Sequence, residues 1–473
     1  MALYPDEFIF NFFDMNVKHF IKTCGLFVVM AAALTACSDD DNELRYPDNL
    51  LGLPALKEGT FPETDVQLSV GETYDYVPEV TSPGDVYYQW YLNDEDLGTE
   101  PRLSYTAEYP TRSRVVLELT NDFGKVILEN KLIVPGADYT GGCLVINEGW
   151  FGHESGSVSY YDYQKNSVET WALKNQNFGA TLGTTSQSAT LWNGKLYICS
   201  KQGSQLTVVD PKTLYVEKSG AVLTGTRQVY EFVGLNDKYG VVTANGDVFR
   251  VDLETFASEQ IVMDDTWGGC GSAYVYQGKL LLNVKSKKMH VLEVEKILGD
   301  LSSYTFNKPF PYTTIDVTTT GGCRFVAGKD GNVYTVESTN SGNNLVKIKP
   351  DLSIEKAQMR SDYQPSSFGA YREDSFCGDG ENLFYIAGGK IYKATFENAA
   401  PEQPFTSYQK EGYGFYGAGI RVNPRTHEVV ATYLTEDYQK NLIVRFDGTT
   451  GEKISEVMFD GYYFPGTIIF NEQ

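Results

Sequence analysis

Histidine is almost missing from this chain and cysteine is sparse, four and seven in 473 residues. The cysteines form no C-x-x-C pair, and none stands at ligand spacing from His153, His290 or His427. A zinc site needs three or four such ligands converging, so metal chemistry has no basis in the sequence. Basic residues are outnumbered, 39 Lys and Arg against 62 Asp and Glu, for a net charge of −23. Phosphate neutralisation requires clustered cations, so nucleic acid is excluded as a partner and broad adsorption to anionic lipid is opposed. No apolar run approaches the ~20 residues that span a bilayer. G-x-S-x-G, H-E-x-x-H and the EF-hand loop are absent, so an enzyme is not the expectation.

What is present starts with an address. Lys18 and Lys22 precede a short apolar stretch, Gly25 to Ala33, followed by Leu34-Thr35-Ala36-Cys37 and then Ser38-Asp39-Asp40-Asp41. A run this short reads as a secretory signal rather than a membrane span. L-T-A-C resembles a bacterial lipobox, and the acidic residues after it resemble the surface-export signal of Bacteroidetes lipoproteins. Residues 1–36 are therefore expected to be a signal peptide, with 1–14 a misplaced start because Met15 opens a normal one. Residues 37–54 are expected to be a lipidated Cys37 and an acidic tether. The acyl chains would be the only membrane attachment, placing the protein at the outer membrane and facing outward. Five cysteines remain, an odd number, and read as small buried apolar residues.

Aromatics at 14%, with 33 Tyr and 26 Phe, and 45 glycines favour strands and tight turns. Residues 55–135 carry short strand-like runs such as Val66 to Val70, Val86 to Tyr91 and Val115 to Leu119. The segments YYQWYLND and LELTNDFGK resemble PKD-like immunoglobulin-type domains, which implies a small β-sandwich. No cysteine falls in this span, so no inter-sheet disulfide is expected, and Trp90 reads as core.

Residues 136–473 repeat a two-strand phrase. Gly194 to Cys199 with Leu206 to Asp210 matches Gly278 to Asn283 with Met289 to Leu292. The phrase recurs at Leu144, Tyr239, Val333, Leu383 and Val429, seven times in all. Spacings of about 40 to 53 residues are those of a four-stranded propeller blade. The phrase at Leu144 lacks a preceding strand, whereas Phe464 to Phe470 lacks a following phrase. The expectation is an all-β chain: a sandwich, then a seven-bladed β-propeller closed by its C-terminal strand, which removes open sheet edges.

One short stretch poses a question. N-E-G-W-F-G, residues 147 to 152, sets Trp150 and Phe151 in the turn between two strands, where core aromatics do not belong. In a propeller, that kind of turn shares a face with the segments leading into the innermost strands. Those segments supply Gln187, Arg227, Gln228, Tyr230, Trp267, Arg324, Gln364, Tyr416, Tyr463 and Phe464. Together with Trp150 and Phe151 they are the candidate binding residues. Aromatics beside amides and guanidinium groups suit a large, flat or ring-rich ligand.

The phrase VINEGWFGHESGSVSYYD, the seven repeats and the lipoprotein start resemble the DUF5074/YncE-like propellers of Bacteroidetes surface lipoproteins. That resemblance implies a BtuG-like role: capture of a corrinoid (vitamin B12-like) ligand and transfer to a TonB-dependent outer-membrane transporter. No cofactor is implied beyond such a bound ligand. A glycan-binding or adhesive surface protein is the alternative from another class, and a propeller hydrolase or lyase is a third. The address makes a prediction of its own. Cys37→Ala should release the protein from membranes and abolish palmitate labelling; a membrane-bound, labelled mutant would refute the lipobox.

Overall fold

The computed structural model describes residues 52–57, 62, 64–264, 269–366 and 373–471. The expected signal peptide, Cys37, most of the tether and Trp267 lie outside the described residues. Among these residues no helix is long and apolar enough to cross a membrane.

The first unit is built on a five-stranded sheet in the order Val66–Gln67, Gly124–Val134, Thr111–Asn121, Tyr87–Leu92, Glu95–Gly98. Thr73–Tyr76 pairs with Leu103–Thr106, and Ala55–Leu56 with Val80–Thr81. The side-chain alternation of Thr111–Asn121 puts Val115, Leu117 and Leu119 into one core with Trp90, Leu92 and Leu132. Trp90 is 1% exposed, meets the edge of Tyr76 at 5.8 Å, and donates its indole N–H to the Glu100 carbonyl at 3.0 Å. Burying a tryptophan without such an acceptor would leave an unpaired donor.

Beyond residue 141 the chain is a β-propeller: seven sheets in the described residues, six of four strands and one of three. The second strands, such as Gly142–Asn147 and Lys279–Val284, are buried nearly throughout because neighbouring sheets cover both faces. Outer strands such as Val216–Gly220 and Lys453–Asp460 alternate toward solvent. Each sheet touches the next, and Tyr413–Val422 of the seventh touches Pro465–Ile469. That last strand belongs to the first sheet, whose order is Ser167–Glu169, Ser157–Asp162, Gly142–Asn147, Pro465–Ile469.

The sixth sheet departs from four strands. Cys377–Gly378, Leu383–Ala387 and Lys390–Ala394 are followed by irregular chain over residues 395–412. Pro401 and Pro404 remove the ladder donors that a fourth strand would need. The segment is held by other means: Tyr385 Oη donates to Ala399 O (2.9 Å), Arg360 to Pro401 O (3.1 Å), and Phe405 N to Ile391 O (2.8 Å).

The first unit docks on a single helical turn, Ala172–Asn175 (α1), between the first and second sheets. Thr111 Oγ1 donates to Asn175 O (2.8 Å) and Gln176 Nε2 to Pro110 O (2.8 Å). The Arg112 guanidinium lies 4.7 Å from the Phe178 ring and 4.3 Å from Tyr215.

Inside the channel, Glu373 gathers three sheets. Its Oε2 accepts from Arg324 (2.9 Å), Arg421 (2.5 Å) and Thr467 of the terminal strand (2.6 Å). Burial opposes the charge on Glu373, but the two guanidinium groups and these hydrogen bonds hold its carboxyl below the usual carboxylate range.

Two predictions follow from this arrangement. Removing residues 464–473 strips a strand from the first sheet and the Thr467 bond from Glu373. The expected result is aggregation or a large fall in melting temperature, and an unchanged melt would refute the seam. Glu373→Gln leaves the buried Arg421 and the partly exposed Arg324 short of a counter-charge, costing about 3 to 5 kcal/mol at neutral pH. Because the folded carboxyl is depressed, its stabilisation is present above the unfolded value, about 4.3, and is lost as pH falls toward the folded one. Denaturant melts of wild type and variant should therefore converge over that acidic window; a constant gap would refute the charge assignment.

Candidate functional site

The innermost strands Thr184–Trp192, Tyr413–Val422 and Pro465–Ile469 all pack around the channel. Thr185, Gln187, Gln228, Tyr416 and Phe464 fall at or just before the starts of such strands and line one cleft of about 530 Å³. Glu148, Gly149, Trp150, Phe151, Lys201 and Tyr438 complete it, all from turns or strand ends at the same mouth. The volume is that of a small-molecule site.

The N-E-G-W-F-G turn is fixed by its backbone. Glu148 N donates to Phe464 O (2.8 Å), Gly149 N to Tyr463 O (3.2 Å), and Thr185 N to Glu148 O (3.0 Å). Gly149 has φ +73°, and a Cβ there would meet Ser155 O at 2.2 Å, so the turn tolerates no side chain at that point. Trp150 stacks against His153 (4.1 Å between ring centroids) and Tyr462 (4.4 Å). Trp150, packed on two rings of its own surroundings, stiffens the turn, whereas Phe151, 72% exposed, presents an open ring. Opposite, Phe464 packs between Tyr416 (5.5 Å) and Tyr438 (5.4 Å).

Beneath the rings lies a polar floor. Gln187, Glu148 and Lys201 are buried, and Tyr416 Oη donates to Glu148 Oε2 at 3.3 Å. Gln187 Oε1 has no hydrogen-bond partner among the described residues. A buried acceptor left this way is costly unless water or a ligand supplies a donor.

Backbone strain collects here too. Thr185 (φ 58°), Tyr438 (φ 61°) and Phe464 (φ 55°) are left-handed, and all three line the cleft. For a β-branched threonine this is an outlier, and such conformations persist where the surroundings over-determine them, typically at binding sites.

The structure thus brings together six of the sequence candidates: Trp150, Phe151, Gln187, Gln228, Tyr416 and Phe464. Others sit elsewhere. Arg227 pairs with Asp247 (3.2 Å) over Phe249. Tyr230 is buried, with Ser188 donating to its carbonyl. Tyr463 packs on Trp171 (5.8 Å) and Phe459 (5.6 Å), where burial pushes its phenol above the ordinary range. Gln364 is exposed and does not line the cleft, and Arg324 lies down the channel on Glu373. Sequence reasoning missed Glu148, Thr185, Lys201 and Tyr438. Tyr438 had a legible signal, because its turn joins Val429–Thr435 to Lys440–Phe446, the same kind of turn as N-E-G-W-F-G.

Fold and cleft together define a β-propeller with a ligand-sized cavity at one mouth of its channel. Residues 141–471 match the family described as a domain of unknown function, DUF5074, and the chain belongs to that family. No curated protein matches it. Among solved structures it is similar to a quinonprotein alcohol dehydrogenase-like protein from Bacteroides thetaiotaomicron, at 26% identity and a TM-score of 0.67. That likeness covers 89% of this chain and 99% of the other, more than the propeller alone supplies, so it extends into the first unit. It is also similar to a virginiamycin B lyase from Staphylococcus aureus, at 9% identity and a TM-score of 0.39, over 58% of this chain and 83% of that one.

The geometry separates two kinds of aromatic. Phe151→Ala and Tyr438→Ala should each weaken ligand binding roughly ten- to a hundredfold, from about 1 to 3 kcal/mol of lost ring burial, with little change in melting temperature. Trp150→Ala should lower the melting temperature as well, since it removes the ring that His153 and Tyr462 both pack on. Equal destabilisation by all three would make the turn purely architectural.

Proposed function

We propose that this protein is a lipid-anchored capture protein of the outer cell surface, binding a ring-rich small molecule in the cleft beside Phe151 and Tyr438. In this reading the propeller is a seven-bladed ring sealed by Pro465–Ile469, the sandwich is a PKD-like domain, and the cleft binds rather than transforms its ligand. One observation carries it. Open aromatic rings, a buried unpaired acceptor on Gln187 and three left-handed residues converge on one cavity of about 530 Å³. Rings give a ligand apolar contact, and the floor supplies both donors and acceptors to fix its orientation.

The resemblance of the N-E-G-W-F-G phrase and the lipobox-like Leu34 to Cys37 to BtuG-like surface propellers is what supports a corrinoid as the ligand and a TonB-dependent transporter as the receiving partner. A glycan is the second reading. It is favoured by the exposure of Phe151 and Tyr438, whose rings suit the flat face of a sugar.

A thermal-shift screen of the soluble chain against cobamides and against host and plant glycans separates the two. A ligand at a hundred times its Kd stabilises the fold by about 2.7 kcal/mol through mass action. A shift with cobamides that Phe151→Ala abolishes supports corrinoid capture. A shift with glycans alone replaces it, and no shift with either class refutes both.

A further inference from the structure

The first unit reaches the aromatic cleft through one short piece of chain. α1 is a single helical turn with no side-chain cap at its start, and a turn that short does not hold itself together in water. It is held from two sides. Ala172 and Leu173 are buried in a core built by the first and second sheets of the propeller. The polar end of the turn belongs to the first unit: Asn175 O accepts from Thr111 Oγ1, and Gln176 Nε2 donates to Pro110 O, both at 2.8 Å. Thr111 and Gln176 are buried, so water cannot replace either bond. Just beyond, Phe178 N donates to Arg112 O (2.7 Å), and the Arg112 and Lys131 cations lie against the Phe178 ring.

From the other end of the turn, contacts run on to the cleft. Trp171, the residue ahead of α1, meets Tyr463 edge-on at 5.8 Å. The Lys174 ammonium lies 5.3 Å from the Trp171 ring and pairs with Asp94 of the first unit (2.9 Å). Tyr463 O accepts from Gly149 N (3.2 Å) and Phe464 O from Glu148 N (2.8 Å), the two bonds that fasten the N-E-G-W-F-G turn. Thr185 N closes the same joint on Glu148 O (3.0 Å). Glu148, Gly149, Thr185 and Phe464 all line the cleft.

We propose that the first unit is a brace for the aromatic cleft: it fixes α1, α1 holds Trp171 against Tyr463, and Tyr463 carries the backbone to which the cleft's turn is fastened. Trp171 and Tyr463 are positioning residues and need touch no ligand. Undocking the first unit removes the polar half of α1's support and loosens the cleft wall. Docked and undocked forms therefore differ in their grip on whatever the cleft takes. The brace is a property of the chain itself and holds whether or not the ligand is of the class proposed above.

Hydrogen exchange of the full chain, read by mass spectrometry, tests this with no ligand present. The amides of Glu148, Gly149 and Thr185 report on the joint directly, because each is a donor in it. Asp94→Ala combined with Thr111→Val removes two of the first unit's holds on α1. Peptides covering 147–152 and 184–187 should then exchange roughly three- to tenfold faster, while Lys279–Val284 of the fourth sheet keeps its rate. Should Thr111→Val unfold the first unit, Asp94→Ala with Lys131→Ala takes its place, both positions being exposed. Trp171→Ala should reproduce the effect with the first unit still docked. Trp171→Phe, which keeps a ring against Tyr463, should restore most of the protection. Unaltered exchange of the joint in the double variant or in Trp171→Ala overturns the proposal. So does acceleration throughout the propeller, which would be general destabilisation.

Discussion

One buried carboxylate oxygen, Oε2 of Glu373, receives donors from three directions: Arg324 before the fifth sheet, Arg421 within the seventh, and Thr467 on the strand that completes the first. Glu373 itself leads into the sixth. Four consecutive sheets thus meet at one atom. Buried ion clusters seldom add net stability over well-packed apolar groups, because desolvation offsets most of the attraction. Their effect is on uniqueness. A one-residue slip of Pro465–Ile469 would turn Thr467 to the other face of its strand and leave Glu373 short of a donor. The cluster therefore ties the register of the terminal strand to the positions of three neighbours.

Much of the fold was legible because propeller strands are short and locally patterned. Phrases such as Leu196 to Cys199 with Leu206 to Asp210 show their pairing within a dozen residues, and their recurrence reveals the repeat. The missing fourth strand of the sixth sheet was less visible: Pro401 and Pro404 forbid a ladder there, but a repeat count does not register what lies between phrases. The site was half legible. Turn position pointed to Phe151 and Tyr416, since loops of one class share a face. It misplaced Arg324, because standing before an inner strand does not say how far down the channel a long side chain reaches. Trp150 shows the same limit: sequence placed it at the mouth, but not that it packs on the rings of His153 and Tyr462.

The two channel mouths differ because the inner strands run in one direction. Their starts are preceded by long connections that wander over the surface and can carry aromatics. Their ends run straight into tight hairpins such as Trp192-Asn193-Gly194, which leave little room for side chains. One mouth is therefore ring-lined. The other is walled by strand residues, with Arg324, Arg421 and Asp379 among its polar lining.

These constraints also answer why sticky side chains stand at a loop tip. The N-E-G-W-F-G turn makes two backbone hydrogen bonds to Tyr463 and Phe464, the residues leading into the terminal strand. Phe464 is left-handed, as is Thr185, which bonds to Glu148 in the same turn. Neither residue would hold that conformation alone, at a strain on the order of 1 to 3 kcal/mol each. They hold it because the turn, the terminal strand and the first inner strand are fastened to one another. The stacked Trp150 adds rigidity from outside. The aromatic turn is thus the outer clasp of the seam whose inner clasp is Glu373, and the cleft is what remains between them. A ligand that touches Gln187, Phe151 and Phe464 at once bridges the joint between first and last strands. Binding and the integrity of the ring are then one linked equilibrium: occupancy of the cleft must tighten the seam, and loosening the seam must weaken the ligand.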